Sequence, residues 1–223
     1  MGIRALVFDF DGLLVDTETP ELQVWQDLFR EHRQTVDRAR WARNIGRRTS
    51  DYDPFDHLEA LTGRKLDREQ LLAEHKRRHA VIMESQGLLP GVEQMLGDAR
   101  RLGLKTGIAS SASRRWILKH LDRLGATHQF DCIKTIDDVR EGKPHPQVYQ
   151  EALRHLGVDG REAIAFEDSE NGARAAKAAG LLCVAVPNLA TRQMTFPMAD
   201  LRLTSLADCS LEELLGRLGR EAG

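Results

Sequence analysis

Asp9 and Asp11 stand two positions apart at the end of a short apolar run, and Gly12 follows them. In extended chain that spacing sends both carboxylates to the same side, and the glycine permits a sharp turn or a close backbone approach. Glu167 and Asp168 bring two more acids to the end of another apolar run. Four converging carboxylates repel and raise one another's pKa. A divalent cation removes that conflict, and ligands that are all oxygen favour Mg²⁺. Lys143 adds positive charge and Ser110 a hydroxyl donor. An acidic metal cluster beside a lysine and a serine suits phosphoryl transfer, because cation and ammonium neutralise phosphate while the hydroxyl positions it. One aspartate can then attack phosphorus. The other can protonate the leaving oxygen and later deprotonate the incoming water or hydroxyl. Singly, each feature has an ordinary explanation: a helix cap for Ser110, a surface lysine for Lys143, a helix start for Glu167 and Asp168. Their order along the chain is what argues for a shared site.

The elements that must position them can be read from the apolar spacing. Residues 3–8 read as a strand that ends at Asp9. From 18 to about 85 apolar residues recur at helical spacing, as in Leu22, Trp25, Leu28 and Phe29, which predicts an all-helical insert. Trp25, Trp41 and Phe55 are expected to pack its interior. After Pro90-Gly91 the pattern alternates. Helices are expected over 92–102, 113–124, 146–156, 171–179 and 211–218. Strands are expected over 105–109, 130–134, 163–166, 181–186 and 201–203. Repeated strand–helix units with glycine after helices predict a parallel sheet flanked by helices. Ligands of such sheets bind beyond the carboxyl ends of the strands. That rule selects Asp9 and Asp11, Ser110, the loop of Lys143, and Glu167 and Asp168, so topology and residue chemistry point to one crevice.

Here the residues match a family. The segment from Asp9 to Glu18, DFDGLLVDTE, closely resembles the first motif of the haloacid dehalogenase (HAD) superfamily. Ala109-Ser-Ser-Ala112 resembles its second motif, Gly142-Lys-Pro-His-Pro146 its third, and Phe166-Glu-Asp-Ser-Glu-Asn-Gly172 its fourth. The subgroup resembled is that of the β-phosphoglucomutase-like phosphatases. The resemblance implies a doubly wound, Rossmann-like α/β core over 1–16 and 89–223, with a helical cap over 17–88 that closes on it. It implies Asp9 as nucleophile and Mg²⁺ ligand, and Asp11 as general acid and base with its backbone carbonyl on the metal. Ser110 and Lys143 would hold the transferred phosphoryl group. Asp168 would ligate Mg²⁺, with Glu167 a direct or water-mediated ligand. Asp11 argues against the family's dehalogenases, which lack that second aspartate. P-type ATPases and receiver-type signalling domains differ in motif or in lacking a cap.

The function expected is hydrolysis of a small phosphomonoester, with a sugar-phosphate mutase as the alternative. By resemblance, such mutases carry a histidine shortly after the first motif. Glu21 stands at that position here, and no histidine occurs from 9 to 31, which weakens the mutase reading. Glu18, Arg48 and Ser111 are assigned to substrate binding. Arg48 lies in Ile45-Gly46-Arg47-Arg48-Thr49, which resembles a substrate-contacting cap loop, and its guanidinium suits a carboxylate or second phosphate.

The 223 residues carry a formal charge of −2 and 41% hydrophobic residues, which suits a globular protein and excludes a disordered one. Residues 17–88 hold 13 Lys/Arg against 13 Asp/Glu, without the basic excess of a nucleic-acid domain. Three scattered cysteines, Cys132, Cys183 and Cys209, argue against a disulfide framework or zinc site, and Cys183 is expected in the core. No run approaches the ~20 apolar residues of a membrane span, so a cytoplasmic location is expected; the resemblance implies a capped enzyme acting on a small phosphorylated metabolite, for which a monomer is expected.

Overall fold

The computed structural model describes residues 2–43, 45–46 and 52–223. The first strand, β1 (Ala5–Phe8), is followed by α1 (Glu18–Glu31), α2 (Arg38–Ala42), α3 (Pro54–Thr62) and α4 (Arg68–Glu84). The chain then alternates through α5 (Val92–Arg101), β2 (Lys105–Ala109), α6 (Arg114–Arg123), β3 (Cys132–Lys134), α7 (Gln147–Leu156) and β4 (Ala163–Glu167). It closes with α8 (Glu170–Ala178), β5 (Leu182–Ala185), β6 (Leu201–Arg202) and α9 (Leu211–Arg217). The pattern predicted from sequence is present; β2 has the predicted bounds, β4 runs one residue further, and the other four strands are shorter than predicted. Ile3 forms only an isolated bridge to Ala222, and β3 starts late because a 3₁₀ turn occupies Thr127–Gln129.

The strands form one parallel sheet in the order β3-β2-β1-β4-β5-β6. The order reverses at β1, which pairs with β2 on one side and β4 on the other. Strand residues alternate between two faces, as the period of two requires. Leu6, Phe8, Ile164, Phe166 and Val184 pack with α5, α6 and α9. Ala5, Val7, Ala163, Ala165, Cys183 and Ala185 pack with α7 and α8. The small side chains of the second face meet the alanine-rich stripe Ala173, Ala175 and Ala176, which lets α8 approach closely. On the first face the Phe8 and Phe166 rings stack at 4.9 Å. All three cysteines are buried and free, Cys183 within the sheet core as expected.

The helices between β1 and α5 have their own apolar cluster, made of Leu22, Val24, Trp25, Leu28, Phe29, Val36 and Leu58. Trp41 and Phe55 pack against it, as the apolar spacing predicted. The two chain segments that join this insert to the sheet lie side by side. Val15 bridges Leu88, and the Leu89 N–H donates to the Leu14 carbonyl at 2.9 Å. Among the described residues no helix is long and apolar enough to cross a membrane.

Candidate active site

Strand register brings the acids together. Phe8 pairs with Phe166, so Asp9 and Glu167 leave adjacent strands at the same level. The Asp9 N–H still donates to the Phe166 carbonyl at 3.0 Å. This is the point where strand order reverses, the place at which open α/β sheets bind ligands. On the other side of β1, Ala109 ends β2 and hands the chain to Ser110.

Asp9, Ser110, Lys143, Glu167 and Asp168 are all buried. The Lys143 ammonium donates to Asp9 Oδ1 at 2.7 Å and to Glu167 Oε1 at 2.6 Å. Burial works against its charge, but the two carboxylates outweigh burial and hold its pKa above the ordinary lysine value. Glu167 is fully engaged: Tyr149 donates to its Oε1 at 2.6 Å and Ser169 to its Oε2 at 3.3 Å. Ser169 reaches it as the N-cap of α8, where its hydroxyl also accepts from the Gly172 N–H.

Asp168 is held on one side only. Asn188 donates to its Oδ2 at 2.6 Å, while Oδ1 is buried with no hydrogen-bond partner among the described residues. Burial, followed by the charges of Asp9 and Glu167, pushes Asp168 well above the usual carboxylate range. Burial likewise raises Glu167. Such a site is short of positive charge. Asp9, Glu167 and Asp168 each place a carboxylate oxygen within 4.8 Å of the others, so the residues present fit a hard cation.

Asp11 is beside the cluster rather than in it. Trp116 Nε1 donates to its Oδ1 at 2.9 Å. Burial, then the charge of Asp9, raises its pKa to about 6. Glu18 is raised to about 8, by burial and then by the charge of Asp11. Ser110 Oγ accepts from the Ala112 N–H at 3.0 Å, and Ser111 Oγ donates to the Gly46 carbonyl at 3.1 Å. Asn171 donates to the Ile45 carbonyl at 2.9 Å, so segment 45–46 of the insert rests on the sheet domain at two points. Arg48 lies outside the described residues.

Asp9, Asp11, Ser110, Ser111, Glu18 and Gly46 line a cavity of about 190 Å³. Glu18 and Gly46 also line a second cavity of about 340 Å³, walled by Trp25, Trp41, Tyr52 and Leu72 and carrying Glu21 and His75. A larger groove of about 760 Å³ runs between α2 and α8 but contains none of the four acids; of these cavities the one of about 190 Å³ holds Asp9 and Asp11, and the second adjoins it through Glu18 and Gly46. Three contributors escaped the sequence reading: Tyr149, Asn188 and Trp116. Asn188 follows β5, and the strand-end rule applied to that strand points to it. Tyr149 and Trp116 sit at ordinary helical spacing and carry no local signal.

Comparison with known proteins follows the same line. A family model described as haloacid dehalogenase-like hydrolase matches residues 3–180. The chain is 45% identical over 219 residues to YhcW of Bacillus subtilis, named as a candidate phosphatase, covering 98% of this chain and 99% of that one. It is 32% identical to hexitol phosphatase B of Escherichia coli, covering 96% and 97%. The crystal structure of CbbY from Rhodobacter sphaeroides, a complex with phosphate, superposes with a TM-score of 0.68 at 31% identity, covering 92% and 96%. The chain belongs to the haloacid dehalogenase-like hydrolases, and its relatives place it among the phosphatases of that family.

Proposed function

We propose that this protein hydrolyses a small phosphomonoester, a sugar phosphate or similar metabolite, through an aspartyl phosphate on Asp9 and with Mg²⁺. The observation that carries the reading is the buried meeting of Asp9, Lys143, Glu167 and Asp168 where strand order reverses, with Asp11 alongside. Asp9 and Asp168, with the Asp11 carbonyl, would hold the cation. Glu167, both of whose oxygens already accept protein hydrogen bonds, fits a water-mediated role. When bound, the cation supplies charge neutralisation for the acids and for the incoming phosphoryl group.

Asp9 attacks phosphorus in line while Asp11 gives its proton to the leaving alcohol. A carboxyl raised to about 6 is suited to that exchange near neutral pH. Lys143 keeps Asp9 oriented and presents its ammonium to the transferring oxygens, and Ser110 donates to another. Water, deprotonated by Asp11, then hydrolyses the aspartyl phosphate. The insert is read as a cap over 17–88, moving on the paired segments near 15 and 88 and excluding bulk water when closed. The second cavity, with aromatic walls and the carboxyls of Glu18 and Glu21, suits a polyhydroxylated leaving group. Hexitol phosphatase B, by its name, acts on such compounds.

The test is phosphate release over sugar phosphates, hexitol phosphates, phosphoglycolate and nucleotides, with Mg²⁺ and with EDTA. Release that vanishes with EDTA and returns with Mg²⁺ is expected. Asp9→Asn should lower it by at least about 10³-fold with the fold intact by circular dichroism. Full turnover by that variant overturns the nucleophile assignment. Conversion of β-glucose 1-phosphate to its isomer with a bisphosphate primer, in place of phosphate release, would identify a mutase instead.

A further inference from the structure

A row of five aromatic and imidazole rings crosses from the insert to the sheet domain. It runs from Trp25 on α1 through His75 and His79 on α4 to Trp116 and His120 on α6. Successive ring centroids are 4.9, 5.8, 6.0 and 4.3 Å apart. The row ends against Phe10, the residue between Asp9 and Asp11, at 6.3 Å from His120. Its fourth member, Trp116, is the one that donates to Asp11 Oδ1. His79 Nε2 lies 3.5 Å from Glu21 Oε2, and both His120 nitrogens are buried without hydrogen-bond partners among the described residues. Burial lowers the pKa of both histidines, that of His120 to about 4. The His79 ring lies nearly parallel to the Trp116 ring, at 20°, and the His120 ring meets it edge-on, at 67°.

We propose that Trp116 is a positioning residue that couples the seating of the insert to the orientation of Asp11. The proposal rests on the function proposed above. An aspartate carboxyl turns freely about its last torsion, so the donors around it decide which oxygen faces the substrate. The indole N–H holds Oδ1, and Thr17, at the start of the insert, is a second side chain that faces the same carboxyl. The indole in turn touches two rings, the edge-on His120 of its own helix and the near-parallel His79 of the insert. Near the exit of the insert, α6 is tied to α4 a second time, by Arg123 donating to the carbonyls of Glu84 and Gln86 at 3.1 and 2.6 Å. That tie lies beside the paired crossing at Val15 and Leu88. His79 is further from the crossing, so a swing of the insert moves it off Trp116 while Arg123 keeps its hold. Asp11 is therefore held in place when the insert is seated and released when it lifts.

The test compares two substrates, p-nitrophenyl phosphate, whose leaving group departs without a proton, and an alkyl sugar phosphate, whose leaving group needs one. Trp116→Phe keeps an aromatic ring, though a smaller one, and removes the N–H. It should lower kcat/KM for the alkyl substrate by about 10-fold or more, a part of the 10²–10⁴ that a general acid supplies in full, and change p-nitrophenyl phosphate little. His79→Ala should act in the same direction, and His79→Phe, which restores a stacking ring, should recover the loss. Equal losses on both substrates, or none, overturn the proposal. A readout independent of activity uses ¹⁵N-labelled tryptophan, with three indole signals and Trp116→Phe assigning one. The Trp116 signal should move in Asp11→Asn and in His79→Ala; a stationary signal overturns the coupling. A wild-type protein inactive on every phosphomonoester would overturn the function proposed above, while the indole signals would still decide the coupling.

Discussion

Asn188 joins two parts of the site that the chain brings from opposite ends. Its amide nitrogen donates to Asp168 Oδ2 and to the Gly12 carbonyl at 3.1 Å, while its Oδ1 accepts from the Ala190 N–H at 2.8 Å. The side chain is thereby locked, and it leaves Asp168 Oδ1 as the oxygen free to meet a cation. Outer partners of this kind orient the ligands they touch. Asn188→Ala is expected to weaken Mg²⁺ affinity by about 10–100-fold with little change of fold, read as the Mg²⁺ concentration giving half-maximal phosphate release. An unchanged requirement would show that Asp168 is oriented without it. That Lys143 and Asp168 belong to one cluster was legible from residue types in the segments that follow strands. That Lys143 would divide its ammonium between Asp9 and Glu167 was not, because sequence shows a charge and never the two oxygens nearest to it.

At the scale of elements, the turn after β1 is a tight joint. Gly12 has φ +74°, and a Cβ there would stand 2.3 Å from Asn188 Nδ2 and 2.4 Å from Asp168 Oδ2. A side chain at that φ costs about 1–2 kcal/mol before any clash is counted. Gly12→Ala should therefore lower Tm by at least about 2–4 °C, and should also weaken Mg²⁺ binding by displacing Asp168. A variant with wild-type melting and metal dependence would contradict this packing. The glycine was legible as a turn residue; its closeness to Asp168 required the pairing of β1 with β4. The helices show the same division. Ser113 and Ser169 cap α6 and α8 as local chemistry predicts. Which face of α6 reaches Asp11 depends on how that helix lies on the sheet.

For the whole molecule, the site is a concentration of like charge in a chain that is nearly neutral overall. In the metal-free protein Asp11 is raised to about 6, Glu18 to about 8, and Asp168 is raised as well. The unfolded chain ionises these groups near pH 4. His57, His79 and His120 are lowered and oppose this trend below about pH 6.5; between about pH 6.5 and pH 8 the raised carboxyls keep more protons in the folded state than in the unfolded state, and stability falls as pH rises. Thermal melts in EDTA should show Tm declining across that window, and Mg²⁺ should flatten the decline by favouring the ionised carboxylates. A Tm that stays level or rises over that window in EDTA would contradict the raised values. The insert between β1 and α5 contributes its own apolar cluster, which fits a unit that moves as a body in the proposed closure.

The sequence by itself determined the element types, the α/β class and the acids, lysine and serine at strand ends, because apolar periodicity and strand-end placement are local properties of a chain. Tertiary structure decided which strands are neighbours, the side on which each helix lies, and the partners that Asp11, Glu167 and Asp168 acquire. Asn188 meets Gly12 across 176 positions and Trp116 meets Asp11 across 105. Contacts over such separations are set by sheet order and helix orientation, which no local pattern encodes.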